Sequence, residues 1–275
     1  MDEIDPQKER EDELYDQLLA SPLAEVTGIV SPSGVGAGKS RGQDLWSLVL
    51  SFDAWRIDGG PIRPESLTVR RRVTDEELRK FQSAIDAEAV VRIRARVSEE
   101  NVLDSVQALL EGYLGSASGD LELQALLEEL QKPKTFEDDQ FGIFTLDRRA
   151  SWYSASVKWV GGTIDLTLNV EDPDQIKPCL KVARGLWSQE SSWKTRIEEY
   201  AVQMLLPLKN ESWLGDDESE LSPEEFKSKV TLQSISIYPD GDFEFWHHDG
   251  DLFWGHSIQV SGNLIEGPMD ADIPG

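Results

Sequence analysis

Two periods of hydrophobicity alternate along the chain, and they divide it into strands and helices. LWSLVLSF (Leu45 to Phe52) is an apolar run of strand length, and SLTVRRRV (Ser66 to Val73) follows the turn at Asp58-Gly59-Gly60-Pro61. VVRIRARV (Val90 to Val97) alternates strictly: Ile93, Ala95 and Val97 share one face, and Arg92, Arg94 and Arg96 the other. Between the second and third strands, Thr74 stands three residues before Glu77, the spacing of a capping box at a helix start. The pattern therefore predicts a β-β-α-β unit over residues 25–100, preceded by an acidic helical segment over 1–24 with Leu14, Leu18 and Leu19 on one side. Residues 98–132 carry helix-like patterning twice, SEENVLDSVQALLEGYL and then DLELQALLEELQ. The polar, proline-containing KPKTFEDDQ (Lys132 to Gln140) is the expected linker, so helices and linker occupy 101–135.

The second half opens with FGIFTLD and SWYSASVKWV, then a Gly161-Gly162 turn and TIDLTLNV. The last of these places Ile164, Leu166, Leu168 and Val170 inward and Thr163, Asp165, Thr167 and Asn169 outward. A helical region is expected from about Pro178 to Leu208, broken near Gly185, and then a short helix with Ser222 as its cap and Glu225 closing the box. TLQSISIYPDGDFEFWHHDGDLFWGHSIQV reads as three antiparallel strands, turning at Pro239-Asp240-Gly241 and at His248–Asp251. A two-residue second turn would set His256 opposite Phe243, on the face of His247. The expected fold is α+β, two mixed units of mainly antiparallel sheet packed on helices, the second spanning 136–268 with a tail at 269–275.

Charge narrows the function. The chain has 275 residues with 52 Asp and Glu against 27 Lys and Arg, a formal net charge of −25. Such a surface repels phosphate backbones and anionic membranes, so nucleic acid and membranes are not expected partners, and it attracts basic ones. One cysteine, Cys179, excludes an internal disulfide and a Cys-rich zinc site, and no base is signalled beside it. The first twenty residues are acidic where a secretory signal is basic and then apolar, so a cytoplasmic protein is expected.

Four groups of residues could carry chemistry. SPSGVGAGKS (Ser31 to Ser40) ends as a phosphate-binding loop does, but Ser33 stands where the first glycine belongs, and a β-like run follows where a helix should. It reads as a Gly/Ser loop between two strands, which disfavours a nucleotide hydrolase built on Lys39. WHHDGDLFWGH holds all three histidines, and His247, His248, Asp249, Asp251 and His256 would form the ligand set of a metal-dependent enzyme, the alternative function. Arg70, Arg72, Arg92, Arg94 and Arg96 could make an anion site on the first sheet or pair with the chain's own carboxylates. GDDESELSPEE (Gly215 to Glu225) lacks any basic residue; Asp216, Asp217, Glu218 and Glu220, with Trp213 as an aromatic anchor, are the candidate partner-binding residues.

The order FGIF, WY, VKWVGGTIDLTL, a Trp-bearing helical stretch ending near NESW, SPEEF, LQSISI and the closing DGDLFWGHSI meander resembles a bacterial family, domain of unknown function 2262, over about residues 141–260. The family has no established activity, so the resemblance implies no catalytic residues. Similar small α+β domains stand among immunity proteins, which agrees with the charge. The preferred expectation is a non-enzymatic acidic binding protein without a cofactor, an immunity protein whose partner is a basic toxin domain.

Overall fold

The computed structural model describes residues 6–39, 43–102, 105–215 and 218–274. These form six helices and thirteen strands, an α+β fold in two compact units that divide after Lys132.

The first unit runs α1 (Pro6–Ala20), β1 (Leu23–Gly38), β2 (Trp46–Ile57), β3 (Leu67–Val73), α2 (Asp75–Ala84), β4 (Val90–Val102), β5 (Ser105–Ser116) and α3 (Leu121–Leu130). The strands close into a barrel in the order β1-β2-β3-β5-β4, with β1 antiparallel to β4 and β3 parallel to β5. This order, with a helix between the third and fourth strands, is that of the five-stranded Greek-key barrel of OB type. The architecture by itself assigns no ligand. Inward positions of alternating strands fill the barrel, among them Leu48, Leu50 and Phe52 of β2 and Ile93 and Ala95 of β4. Gly28 lets β1 pass close to this core, since a Cβ there would lie 2.7 Å from the Phe52 ring. Outside the wall, Leu123 and Leu127 of α3 cover Ile29, Ala54 and Val90. The Thr74–Glu77 capping box opens α2 as the spacing predicts.

Two expectations for this unit are overturned. The described residues of SEENVLDSVQALLEGYL are not helical: they supply the end of β4 and most of β5. The run Val106–Leu110 is buried throughout because it faces the barrel interior on one side and α1 packs against β4 and β5. A strand buried on both faces loses the alternation that distinguishes it from a helix. Nor is GVGAG a loop. β1 continues to Gly38, pairing Val35 with Leu50 and Gly38 with Ser47 after a bulge that begins at Val30. The run is antiparallel strand followed by another strand, not the strand-to-helix turn that cradles phosphate. Lys39 sits 5.6 Å from the centre of the Trp46 ring, and Ser40 lies outside the described residues.

The second unit comprises β6 (Thr135–Asp138), β7 (Gly142–Asp147), β8 (Trp152–Trp159), β9 (Gly162–Leu168), α4 (Pro173–Trp187), α5 (Glu190–Ser212), α6 (Pro223–Lys229), β10 (Thr231–Ile237), β11 (Asp242–His248), β12 (Ser257–Asn263) and β13 (Gly267–Asp272). Thus part of the expected linker is strand β6, and most of the expected tail lies in β13. The strands form one eight-stranded sheet in the order β13-β12-β11-β10-β9-β8-β7-β6. Every pairing is antiparallel except β9 with β10, which is parallel. A parallel pair needs a long crossover, and α4, α5 and α6 supply it. The break between the long helices falls at Ser188–Gln189 rather than at Gly185.

The three helices cover one face of this sheet. Cys179, Ala183 and Leu186 of α4, Trp193, Ile197, Ala201 and Leu205 of α5 and Phe226 of α6 are buried in one core with Leu166, Leu168, Ile235, Ile237, Phe243 and Phe245. The opposite side chains of the same strands are mainly Ser, Thr, Asp, Glu, Trp and His, as alternation requires of a sheet with helices on one side. No helix among the described residues is long and apolar enough to cross a membrane.

Candidate functional site

The open face of the eight-stranded sheet holds a concave groove of about 750 Å³. Its chemistry comes from outward positions of β8–β11 and the residue after β10: Trp152, Asp165, Tyr238, Glu244 and Trp246. Ser234 and Ser236 of β10 and Thr167 of β9 form polar ground between them, and the Thr167 hydroxyl donates to Ser236 Oγ at 2.8 Å. Glu244 Oε2 accepts from the Tyr238 hydroxyl at 2.9 Å and from the Trp246 indole N–H at 3.0 Å, so one carboxylate orients two aromatic rings. Burial, and next to it the Glu244 carboxylate, hold the Tyr238 phenol above its ordinary pKa, protonated as a donor. Asp165 is exposed in the groove. Among the described residues, two carboxylates and no lysine or arginine line it. Aromatic faces beside carboxylates suit a cation, through ring quadrupole and ion pairing together.

None of these residues was singled out as a site from the sequence. The available signal was the polar outward set in TIDLTLNV and the Glu244–Trp246 pairing in DFEFWHH.

The histidine meander is arranged differently from the short-turn reading. β11 pairs His248 with Ser257, so the connection is eight residues long and His256 belongs to it rather than to a strand. Its organiser is Asp249, 1% exposed, whose carboxylate accepts backbone N–H groups of Asp251 at 3.2 Å, Phe253 at 2.7 Å and Gly255 at 3.1 Å. Gly250 has φ +60°, and a Cβ there would meet the Lys229 carbonyl oxygen at 2.4 Å, so only glycine fits. His247 points into the core and burial pushes its pKa down to about 4, leaving a neutral ring. His248 faces outward and its Nδ1 accepts the Gly250 N–H at 2.9 Å. His256 packs edge-on to Trp213, and Asp251 is exposed at φ 66°. Among the described residues no three His, Cys, Asp or Glu side chains are grouped to hold a metal ion. Strand alternation separates His247 from His248, and Asp249 is engaged by backbone.

Of the acidic run, Asp216 and Asp217 lie outside the described residues. Glu218 is bound to the buried Lys209 at 2.6 Å, and Glu220 is exposed. Trp213 is half-buried against Phe253, Trp254 and His256, whereas its neighbour Trp254 is 70% exposed. Of the arginines, Arg72 pairs with Asp12 and lies over the Tyr15 ring of α1. Arg96 pairs with Glu111 at 2.7 Å, Arg94 with Glu25 at 3.9 Å, and Arg70 donates to Gln107 at 3.0 Å. Arg92 is exposed. Four of the five thus meet the chain's own side chains.

Fold and groove together define a two-unit α+β protein in which one sheet presents an open, acidic and aromatic face. Residues 138–273 match the family described as "Uncharacterized protein conserved in bacteria (DUF2262)", the family that the second half resembles. Residues 11–130 match a separate family described as "Domain of unknown function (DUF7021)". The two matches fall on the two structural units. Neither a curated protein nor a solved structure matches the chain.

Proposed function

We propose that this protein is a non-enzymatic binding protein that acts in the cytoplasm as an immunity protein, engaging a basic toxin domain. The observation that carries this reading is the groove: Asp165 and Glu244 stand among Trp152, Tyr238 and Trp246 with no basic side chain lining it among the described residues, in a chain of net charge −25. A lysine or arginine of a partner would lay its stem on the indole rings and its charge beside the carboxylates. The remaining negative charge would speed the encounter, an effect that salt suppresses. Exposed Glu220 and Trp254 do not line the groove and offer acidic and aromatic surface apart from it.

The test is binding of the isolated basic partner to wild type and to Asp165→Lys. Asp165 is exposed, so reversal leaves the fold intact. Affinity should fall at least about tenfold, with a weaker salt dependence of the association rate. Unchanged affinity and unchanged salt dependence would remove the groove from the interface.

A further inference from the structure

Strand register fixes what lies beside what on the floor of the open groove. Asp165, Ser234 and Trp246 stand side by side across β9, β10 and β11, and Thr167, Ser236 and Glu244 make the next row. Neighbouring strands are about 4.8 Å apart, so Asp165 and Trp246 flank Ser234 at a backbone separation of about 10 Å. The space above Ser234 therefore has a carboxylate on one side and an indole on the other. Asp165 is exposed, and Ser234 and Trp246 are half-buried, so all three are open to an occupant.

The polar atoms of the groove's rings are already engaged. The Trp246 N–H and the Tyr238 hydroxyl both donate to Glu244 Oε2, at 3.0 and 2.9 Å. What Trp246 still offers is the π face of a ring held in place, and what Asp165 offers is acceptor oxygens. Lys158, on the same face of β8, donates to Thr163 Oγ1 at 2.6 Å and does not line the groove. Such a lining selects an occupant that is cationic, planar and rich in N–H donors.

Arginine and lysine differ in these respects. A guanidinium is flat, weakly hydrated and carries its N–H donors in its plane, so it can lie on an indole and direct a pair of them at a carboxylate. An ammonium is compact and strongly hydrated, and leaving water for an aromatic wall costs it more.

The geometry points to the groove as a guanidinium site, which takes an arginine side chain over Ser234, between Asp165 and the face of Trp246, in preference to a lysine. The inference rests on the reading of the groove as the face that receives a basic partner, and names the side chain received.

Two-dimensional NMR of the purified full chain tests it, following the indole N–H signals of Trp152 and Trp246. The probes are Nα-acetyl-argininamide, Nα-acetyl-lysinamide and the uncharged Nα-acetyl-citrullinamide. The arginine probe should shift these signals saturably and bind about tenfold more tightly than the lysine probe, with the citrulline probe weaker than the arginine one. Trp246→Leu, which removes the ring face, should bring the arginine probe down to the affinity of the lysine probe. Asp165→Asn keeps the shape and removes the charge, and should weaken both cationic probes severalfold while leaving the citrulline probe unchanged. Asp165 is exposed, so that variant carries the test if near-UV circular dichroism shows Trp246→Leu to be unfolded. Equal affinity of the arginine and lysine probes, no saturable shift at tens of millimolar, or arginine binding unaffected by Asp165→Asn would overturn the inference. Its failure is separable from that of the interface: probes bound alike, with the whole partner still lost on Asp165→Lys, would remove the guanidinium preference alone. A saturable arginine preference, with partner affinity unchanged by Asp165→Lys, would keep the site and remove the interface.

Discussion

Lys209, only 2% exposed in the last turn of α5, donates from its ammonium both to Glu218 Oε2 and to the Trp213 carbonyl, each at 2.6 Å. A lysine can be buried there because the carbonyl end of the helix and a carboxylate both face it. The acidic run after α5 is therefore not wholly free surface: one of its members closes a helix end.

Removing that carboxylate should cost stability. Glu218→Gln leaves the buried ammonium without its counter-charge and should lower the melting temperature more than Lys209→Met, which removes the buried charge itself. Lys209, through its hydrogen bond, and then the Gly215 N–H hold the Glu218 carboxyl below the ordinary range. A depressed folded pKa means that the contribution is complete above the unfolded value of about 4.3 and is lost as pH falls through the folded one. The difference in melting temperature between wild type and Glu218→Gln should be constant from about pH 7 to pH 5 and shrink below about pH 4.

Asp249 should behave as a structural residue. Its carboxylate accepts three backbone N–H groups of the β11–β12 connection while almost fully buried. Asp249→Ala should destabilise by about 2–4 kcal/mol in urea unfolding, and Asp249→Asn by less, because one acceptor oxygen remains. Equal stability of wild type and Asp249→Ala would show that the connection holds itself together without the carboxylate.

His247 should make the protein sensitive to mild acid. Its folded pKa, about 4, lies below the ordinary value of 6.5 because burial disfavours the charged ring. Between those values the unfolded chain binds the proton and the folded one does not. Stability is then undiminished above about pH 6.5 and falls as pH drops toward 4, by at most about 3 kcal/mol from this group. Urea unfolding at pH 7.5 and pH 4.5 should show a smaller loss in His247→Phe than in wild type.

Cys179 should be inert in the folded protein. It is fully buried in α4, and burial first, then the nearby Asp240 charge, push its thiol up to about 11. A thiol reagent at pH 8 should react only as fast as the chain opens, and immediately in urea. Rapid stoichiometric labelling of the native protein would place the thiol at an accessible position.

Where one side of an element meets core and the other meets solvent, its type was legible in the residues. β4 with its outward arginines, TIDLTLNV in β9, and the capping boxes at Thr74 and Ser222 are such elements. Legibility failed where burial or pairing came from distant chain. Val106–Leu110 looked helical because it is covered on both sides, and GVGAG looked like a loop because its strand identity comes from pairing with Val49 and Leu48. The groove was legible only as an unremarked row of outward polar residues.

Composition and alternation by themselves determined the α+β class, the acidic character and which strand faces are polar, since these depend on side-chain chemistry and on a period of two. The tertiary structure decided which polar groups meet. Eight residues between His248 and Ser257 carry His256 out of the sheet, and the parallel β9–β10 pairing sets Asp165 beside Ser234. Turn length and crossover path determine such encounters, and neither is encoded within the segments they bring together.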